Sequence, residues 1–250
     1  MLTAETIHDR TSLRKWNLVN AIIYLIQAVI QLILYYNIDK FHDSSFPINI
    51  NSRNVGSLNI GWLVSTFLFV TFLSHFLALL RFRGYIDQIE RNINYYRWIE
   101  YSITSTIILI IISLFFGIFD LSLLVMIGAS NVALIYTRVM MEKINKSNEI
   151  RVEWSPFILS CLLGTLPWIT ILIYLFDGEL DSIPDFVYTI GVSYFIFFQS
   201  FSVNMYLYYK RVGNWRSYAH TERCYQMISV VSKSLVSWLV FSGLNQQDRK

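Results

Sequence analysis

Lys233 is a lone lysine near the middle of the last apolar segment of the chain, between Val230 and Val231 on one side and Leu235, Val236, Leu239 and Val240 on the other. Glu100 lies in an earlier apolar stretch and His75 in the one before that. A buried lysine amine can condense with an aldehyde to give a Schiff base, and a nearby carboxylate can balance the charge once that nitrogen is protonated. The plain alternative is a structural ion pair. Such pairs often gain nothing over apolar packing, because desolvating both ions offsets their attraction. Ionisable groups kept at membrane depth therefore point to function.

The elements that hold these residues must be membrane-spanning helices. Of 250 residues, 54% are hydrophobic, 16% aromatic and only 15% charged, and the apolar residues fall in long blocks separated by short charged stretches. Seven blocks come near the roughly 20 residues that a helix needs to cross a hydrocarbon core of about 30 Å. They run approximately from Trp16 to Tyr36, Leu58 to Leu80, Tyr95 to Phe116, Phe119 to Met141, Pro156 to Phe176, Phe186 to Tyr209 and Thr221 to Ser242. Strands would need a closed barrel and shorter alternating segments. The reading is an all-α membrane protein, a seven-transmembrane helix bundle forming a single domain over residues 1–250. Glu5 and Asp9 ahead of the first block do not suit a cleaved signal peptide.

Cytoplasmic loops collect Lys and Arg. With the N-terminus inside, the inner segments hold fifteen of the 20 basic residues: Arg10, Arg14, Lys15; Arg81, Arg83, Arg91, Arg97; Arg138, Lys143, Lys146, Arg151; and Lys210, Arg211, Arg216, Arg223. The outer segments keep Lys40, Arg53, Arg249 and Lys250, and the outer loop between the fifth and sixth spans carries Asp177, Glu179, Asp181 and Asp185. The N-terminus is expected in the cytoplasm and the C-terminus outside. The net charge of +3 then reflects a basic inner face toward anionic lipid, and no nucleic-acid partner is expected. Cys161 and Cys224 both lie toward the reducing side, so no disulfide framework is expected, nor a metal site. Lys233 is ten residues past Arg223, roughly 15 Å along a helix, which sets it near mid-bilayer. Glu100 is its natural opposite charge, His75 lies in the inner half of the second span, and Asp120 is an interfacial residue beside the turn at Gly117.

The run Arg97-Trp98-Ile99-Glu100-Tyr101-Ser102-Ile103-Thr104-Ser105-Thr106, the stretch Ser229 to Trp238 around Lys233, His75 and the inverted topology together resemble the heliorhodopsins over essentially the whole chain. The resemblance implies all-trans-retinal bound to Lys233 as a protonated Schiff base, with Glu100 as counterion and Ser229, Thr104 and Ser105 hydrogen-bonding around the Schiff base. It implies a proton-accepting polar cavity at His75 and Tyr101, with Asn17 and Asn20 on the first helix where some relatives carry a second histidine. It further implies a slow photocycle with a signalling role, a homodimer in the lipid bilayer and a cytoplasmic signalling partner. The outer segment from Asn37 to Ser57 would form a small β-hairpin.

The third span agrees with a protein that does not pump. Outward proton pumps of the microbial rhodopsin type carry there a carboxylate, a Thr four residues on and a second carboxylate eleven on. Glu100 and Thr104 fit, but the third position is Ile111, and the stretch Ile107 to Phe116 offers no titratable relay. Other readings are a light-driven or secondary ion transporter, or a retinal-free scaffold or regulator with a structural Lys233 to Glu100 pair. An enzyme is not expected. Ligand pockets are mostly apolar and aromatic, so Trp168, Phe197, Phe198, Phe201 and Trp238 are the candidate pocket walls. Pro167 is expected to kink the fifth span. Ser65, Thr66, Asn131, Gln199 and Asn204 more often join helices than line a site. The glycosylation sequon Asn145-Lys146-Ser147 lies on the cytoplasmic side and is set aside.

Overall fold

The structure, a computed structural model, describes residues 4–146, 151–177 and 183–246. In chain order its elements are α1 (Ala4–Asn37), α2 (Asp39–His42), β1 (Ser45–Ile50), β2 (Arg53–Asn59), α3 (Ile60–Leu80), α4 (Phe82–Glu90), α5 (Tyr95–Phe115), α6 (Leu121–Ile144), α7 (Ser155–Asp177), α8 (Asp185–Tyr209) and α9 (Tyr218–Gln246), with a 3-10 turn at Gly213–Arg216. Seven helices are long and apolar enough to cross a membrane: α1, α3 and α5 to α9. Glu179 and Asp181 of the acidic loop, Ser147 of the sequon, and Arg249 and Lys250 lie outside the described residues.

Around the bundle, α1 packs on α3, α3 on α5, α5 on α6 and α6 on α7, while α8 packs on α9, which closes on α1. The outward faces are apolar, with Ile22, Ile26 and Ile33 of α1, Val132 of α6, Ile173 of α7 and Val192 of α8 all exposed. An apolar exterior on that scale suits contact with lipid.

Helix starts are set by side chains that accept from otherwise unpaired backbone N–H groups. Asn59 accepts from Trp62 at 3.1 Å, Asn94 from Arg97 at 3.2 Å, and Asp120 from Ser122 and Leu123 at 2.9 and 3.1 Å. Leu58 consequently belongs to β2 rather than to the second span, and Phe119 to the turn before α6. The first and seventh helices start at Ala4 and Tyr218, ahead of the apolar blocks. Ion pairs fasten the added turns of the first helix: Arg10 with Glu90, and Asp9 with Arg223 at 2.7 Å. Pro167 is accommodated inside α7.

The β-hairpin expected between the first two spans is present. Its antiparallel register pairs Ser45 with Asn59 and Ile50 with Arg53. Asn51 and Ser52 between them both have positive φ, 47° and 64°, as a two-residue type I′ turn requires. Asn49 donates its backbone N–H to the Phe119 carbonyl at 2.8 Å, and Phe46 stacks on Phe119, which fastens the hairpin to the α5–α6 turn. We refer to this end of the bundle as the hairpin end and to the other as the amino-terminal end. At the amino-terminal end α4 buries Tyr85, Ile86 and Ile89 against Leu13, Ala78, Tyr208 and Tyr218.

Candidate functional site

In the second span, Thr71, Ser74, His75 and Ala78 follow the three- and four-residue spacing that brings side chains to one helix face. That face meets α5 and α9 in the interior. Glu100 of α5 and Lys233 of α9 are each 5% exposed and form a direct ion pair, Lys233 Nζ on Glu100 Oε1. Thr71 Oγ1 lies 2.8 Å from the same carboxylate oxygen and 3.1 Å from Nζ, and Thr104 Oγ1 lies 2.8 Å from it. The ammonium is also 5.1 Å from the Tyr101 ring centre and 5.8 Å from that of Tyr24.

A cavity flanks the pair on each side. The one toward the amino-terminal end has a volume of about 20 Å³ and is lined by Asn17, Ser74, His75, Tyr85, Arg97, Glu100, Tyr101, Glu222, Gln226 and Ser229. A cavity holds a water once it offers about 10–15 Å³. His75 Nδ1 bonds Asn17 Oδ1 at 2.8 Å and its ring stacks on Tyr24, so the first-helix Asn17 supplies the polar partner here. Asn20 donates to Gln226 at 3.3 Å. Ser229 lies at 3.1 Å from the Tyr24 hydroxyl, Tyr101 donates to the Tyr225 carbonyl at 3.1 Å, and Ser105 donates to the Tyr101 carbonyl at 2.5 Å while accepting from Asn131.

The second cavity, also about 20 Å³, is lined by Tyr101, Thr104, Ser105, Ile108, Ile135, Arg138, Tyr194, Phe198, Phe201, Ser232 and Lys233. Trp168 packs 5.9 Å from Phe198 and borders a wholly apolar groove of about 250 Å³ between α7 and α8, with Phe116, Ile171 and Gly191. Of the aromatic residues expected to line a pocket, Phe198 and Phe201 face the second cavity and Trp168 stands behind them. Phe197 and Trp238 do not line it; Trp238 is 37% exposed and packs edge-on to Phe241. Trp238 is five residues beyond Lys233, about 140° round the helix, which turns it outward. The residue types around Lys233 fit a covalently held polyene aldehyde: a buried primary amine, a carboxylate on that amine, and walls of aromatic and branched apolar side chains.

Counting Arg97 and Arg138 with the inner-loop cations misplaces both. Arg97, inside α5, is buried between two carboxylates, Glu142 at 2.5 Å and Glu222, with its guanidinium 4.1 Å from the Tyr225 ring. Glu142 also accepts from Trp98 Nε1 at 2.6 Å and Tyr218 at 3.0 Å, and Asn94 donates to Glu222 at 2.8 Å. Arg138, inside α6, is 3% exposed and donates to Ser202 at 2.7 Å. The interior therefore holds more charge than Lys233 and Glu100. The hairpin-end half of α5 matches the sequence reading, with Ile108, Ile111 and Ile112 fully buried and Ser113 bonded back to the Leu109 carbonyl.

The sequence model of the family described as Heliorhodopsin matches residues 13–244. The crystal structure of a light-driven proton pump from Leptosphaeria maculans is similar to this chain with a TM-score of 0.66, covering 94% of this chain and 96% of that one at 14% identity. At that identity the likeness is one of fold. No curated protein matches the sequence.

Proposed function

The chain belongs to the heliorhodopsin family, and on that premise we propose that it is a light-sensing retinal protein of the membrane that signals without pumping ions. All-trans-retinal, bound to Lys233 as a protonated Schiff base, would supply light absorption and a light-driven change of shape. The observation that carries this reading is the buried contact between the Lys233 amine and the Glu100 carboxylate. Glu100 is the counterion. The Thr71 and Thr104 hydroxyls, each 2.8 Å from its Oε1, hold that carboxylate toward the Lys233 nitrogen. Ser229 and Ser105 complete the polar surroundings, and Phe198, Phe201 and Trp168 exclude water from the apolar side.

A proton leaving the Lys233 nitrogen would pass to Glu100 or into the cavity of His75, Asn17 and Tyr101, on the amino-terminal side. The apolar packing of Ile108, Ile111 and Ile112 supports the absence of transport toward the hairpin end, because a proton path needs a chain of titratable groups. The distribution of Lys and Arg supports an amino-terminal end in the cytoplasm, where a signalling partner would bind. A homodimer in the bilayer is part of the same proposal.

Purified protein reconstituted with all-trans-retinal is expected to show a visible absorption band that hydroxylamine bleaches under light. Lys233→Ala is expected to remain colourless, and Glu100→Gln to move the band. A colourless wild type, or covalent retinal retained by Lys233→Ala, removes the retinal assignment; an unmoved band in Glu100→Gln removes Glu100 as counterion. A sustained light-dependent pH change in vesicles would overturn the non-pumping reading.

A further inference from the structure

Three exposed arginines gather at the amino-terminal end of the bundle, where α1, α3 and α4 meet. The Arg14 guanidinium of α1 lies 5.7 Å from the Phe82 ring centre, and Arg81 and Arg83 flank Phe82 in the chain. Among the described residues none of the three forms an ion pair. The carboxylates nearby do not neutralise them: Glu90 is engaged by Arg10 and Asp9 by Arg223. That leaves the exposed Asp87, one turn beyond Arg83 on α4, against three cations.

Apolar surface begins directly beside these cations. On α1, Leu18, Ile22 and Ile26 follow Arg14 at four-residue steps and are all exposed, so they continue its face of the helix. On α3, Leu77 and Leu80 are exposed just before Arg81. Because α1 and α3 pack side by side, the two apolar faces adjoin, with the cations at their ends. A soluble anion would use the arginines and leave the aliphatic faces unused. A phospholipid uses both, since guanidinium groups pair with phosphate oxygens and acyl chains lie on aliphatic side chains. Basic residues at the level of the headgroups favour anionic lipids over zwitterionic ones.

We propose that the junction of α1, α3 and α4 binds one anionic phospholipid, its headgroup phosphate among Arg14, Arg81 and Arg83 and an acyl chain along Leu18, Ile22 and Leu77. The site lies on the outer surface of the bundle, away from Lys233, and does not depend on the retinal assignment.

Native mass spectrometry of the purified full chain, released from detergent micelles, counts bound phosphatidylglycerol against phosphatidylcholine with the same acyl chains. One phosphatidylglycerol is expected to be retained in preference, with half-saturation rising about fivefold in Arg14→Gln and again when Arg81→Gln is added. Lys210→Gln, beside Trp154 at the same end but on α8, is expected to bind like the wild type. Arg14→Lys/Arg81→Lys guards against a misfolded Gln variant: it keeps both charges and should recover most of the retention. Equal retention of the two lipids overturns the proposal, as does wild-type binding by Arg14→Gln/Arg81→Gln or no recovery in the Lys variant. Equal weakening by Lys210→Gln would show a diffuse basic surface, and displacement of the lipid by inorganic phosphate at matched concentration would show a bare anion site; either overturns it. A colourless protein that retains the lipid counts against the retinal reading alone; a coloured one that does not counts against this site alone.

Discussion

Glu100→Gln in the retinal-free protein asks how far Lys233 relies on one carboxylate. Both side chains are 5% exposed, so water screens neither. Removing one partner of such a pair costs about 3–5 kcal/mol, because the other charge stays buried and uncompensated. The Coulomb term has the same size: unit charges about 4 Å apart attract by about 4 kcal/mol at an effective dielectric of 20. Thr71 Oγ1, 3.1 Å from Nζ, can still accept from the ammonium, which places the expected loss toward the lower end, about 3 kcal/mol. Lys233→Met should cost less, since the Thr71 and Thr104 hydroxyls remain on the carboxylate and hydrogen bonds to a charged group contribute about 1.5–3 kcal/mol each. The double variant loses both charges together and is expected within about 1 kcal/mol of wild type. Unfolding in mixed micelles, followed by tryptophan fluorescence, gives all three values and their coupling. Additive losses in the double variant, or a Glu100→Gln protein within about 0.5 kcal/mol of wild type, would refute the reasoning and with it the pairing.

Arg97→Gln should destabilise more than Glu142→Gln in the same assay, because it leaves two adjacent buried carboxylates where the other leaves a matched pair; Arg97→Gln/Glu222→Gln should recover part of the loss. Gly243→Ala would drive a Cβ into the Phe186 ring, and we expect a loss of about 1–3 kcal/mol. Gly56→Ala, with nothing within 4 Å of its Cβ, is the control expected to stay near wild type. Burial pushes the Tyr85 phenol up from its ordinary value of 10.0 to about 12. The unfolded chain therefore loses this proton first. Stability should be flat below pH 10 and fall by up to about 3 kcal/mol as pH rises toward 12. Equal alkaline slopes for wild type and Tyr85→Phe would show that Tyr85 contributes nothing to the fall.

Lys233 was legible as a lone charge in the middle of an apolar block, and Glu100 as the one carboxylate inside the block from Tyr95 to Phe116. Arg97, Glu142 and Glu222 fall at block ends, among loop charges, where sequence alone does not separate a solvated cation from one folded inward. Arg138 was hidden for the same reason, five residues before Lys143. The polar face of the second span was readable from Thr71, Ser74 and His75, and it places Thr71 on the pair although His75 alone drew attention. Pocket aromatics were only partly legible: α8 is apolar on most sides, so nothing in the pattern distinguishes Phe197 from Phe198, and their directions differ by about 100°. The extension of the first helix ahead of Trp16 is not readable in sequence because its ion pairs, Arg10 with Glu90 and Asp9 with Arg223, join distant segments.

The hairpin belongs at once to the entry of α3, through Asn59, and to the exit of α5, through the Asn49 bond to Phe119. Those two helices bring Thr71 and Glu100 to the same amine. Thr71 lies eleven residues into the bundle from Ile60, about 17 Å at 1.5 Å per residue. One residue inserted between Asn49 and Ile60 would move Thr71 by about 1.5 Å and turn it by about 100°, while Glu100 kept its depth. Chain length in this stretch is therefore constrained more tightly than side-chain identity. Substitutions at exposed Val55 or Arg53 are expected to be tolerated, whereas single-residue insertions or deletions in β2 should disturb an ion pair in the middle of the bundle.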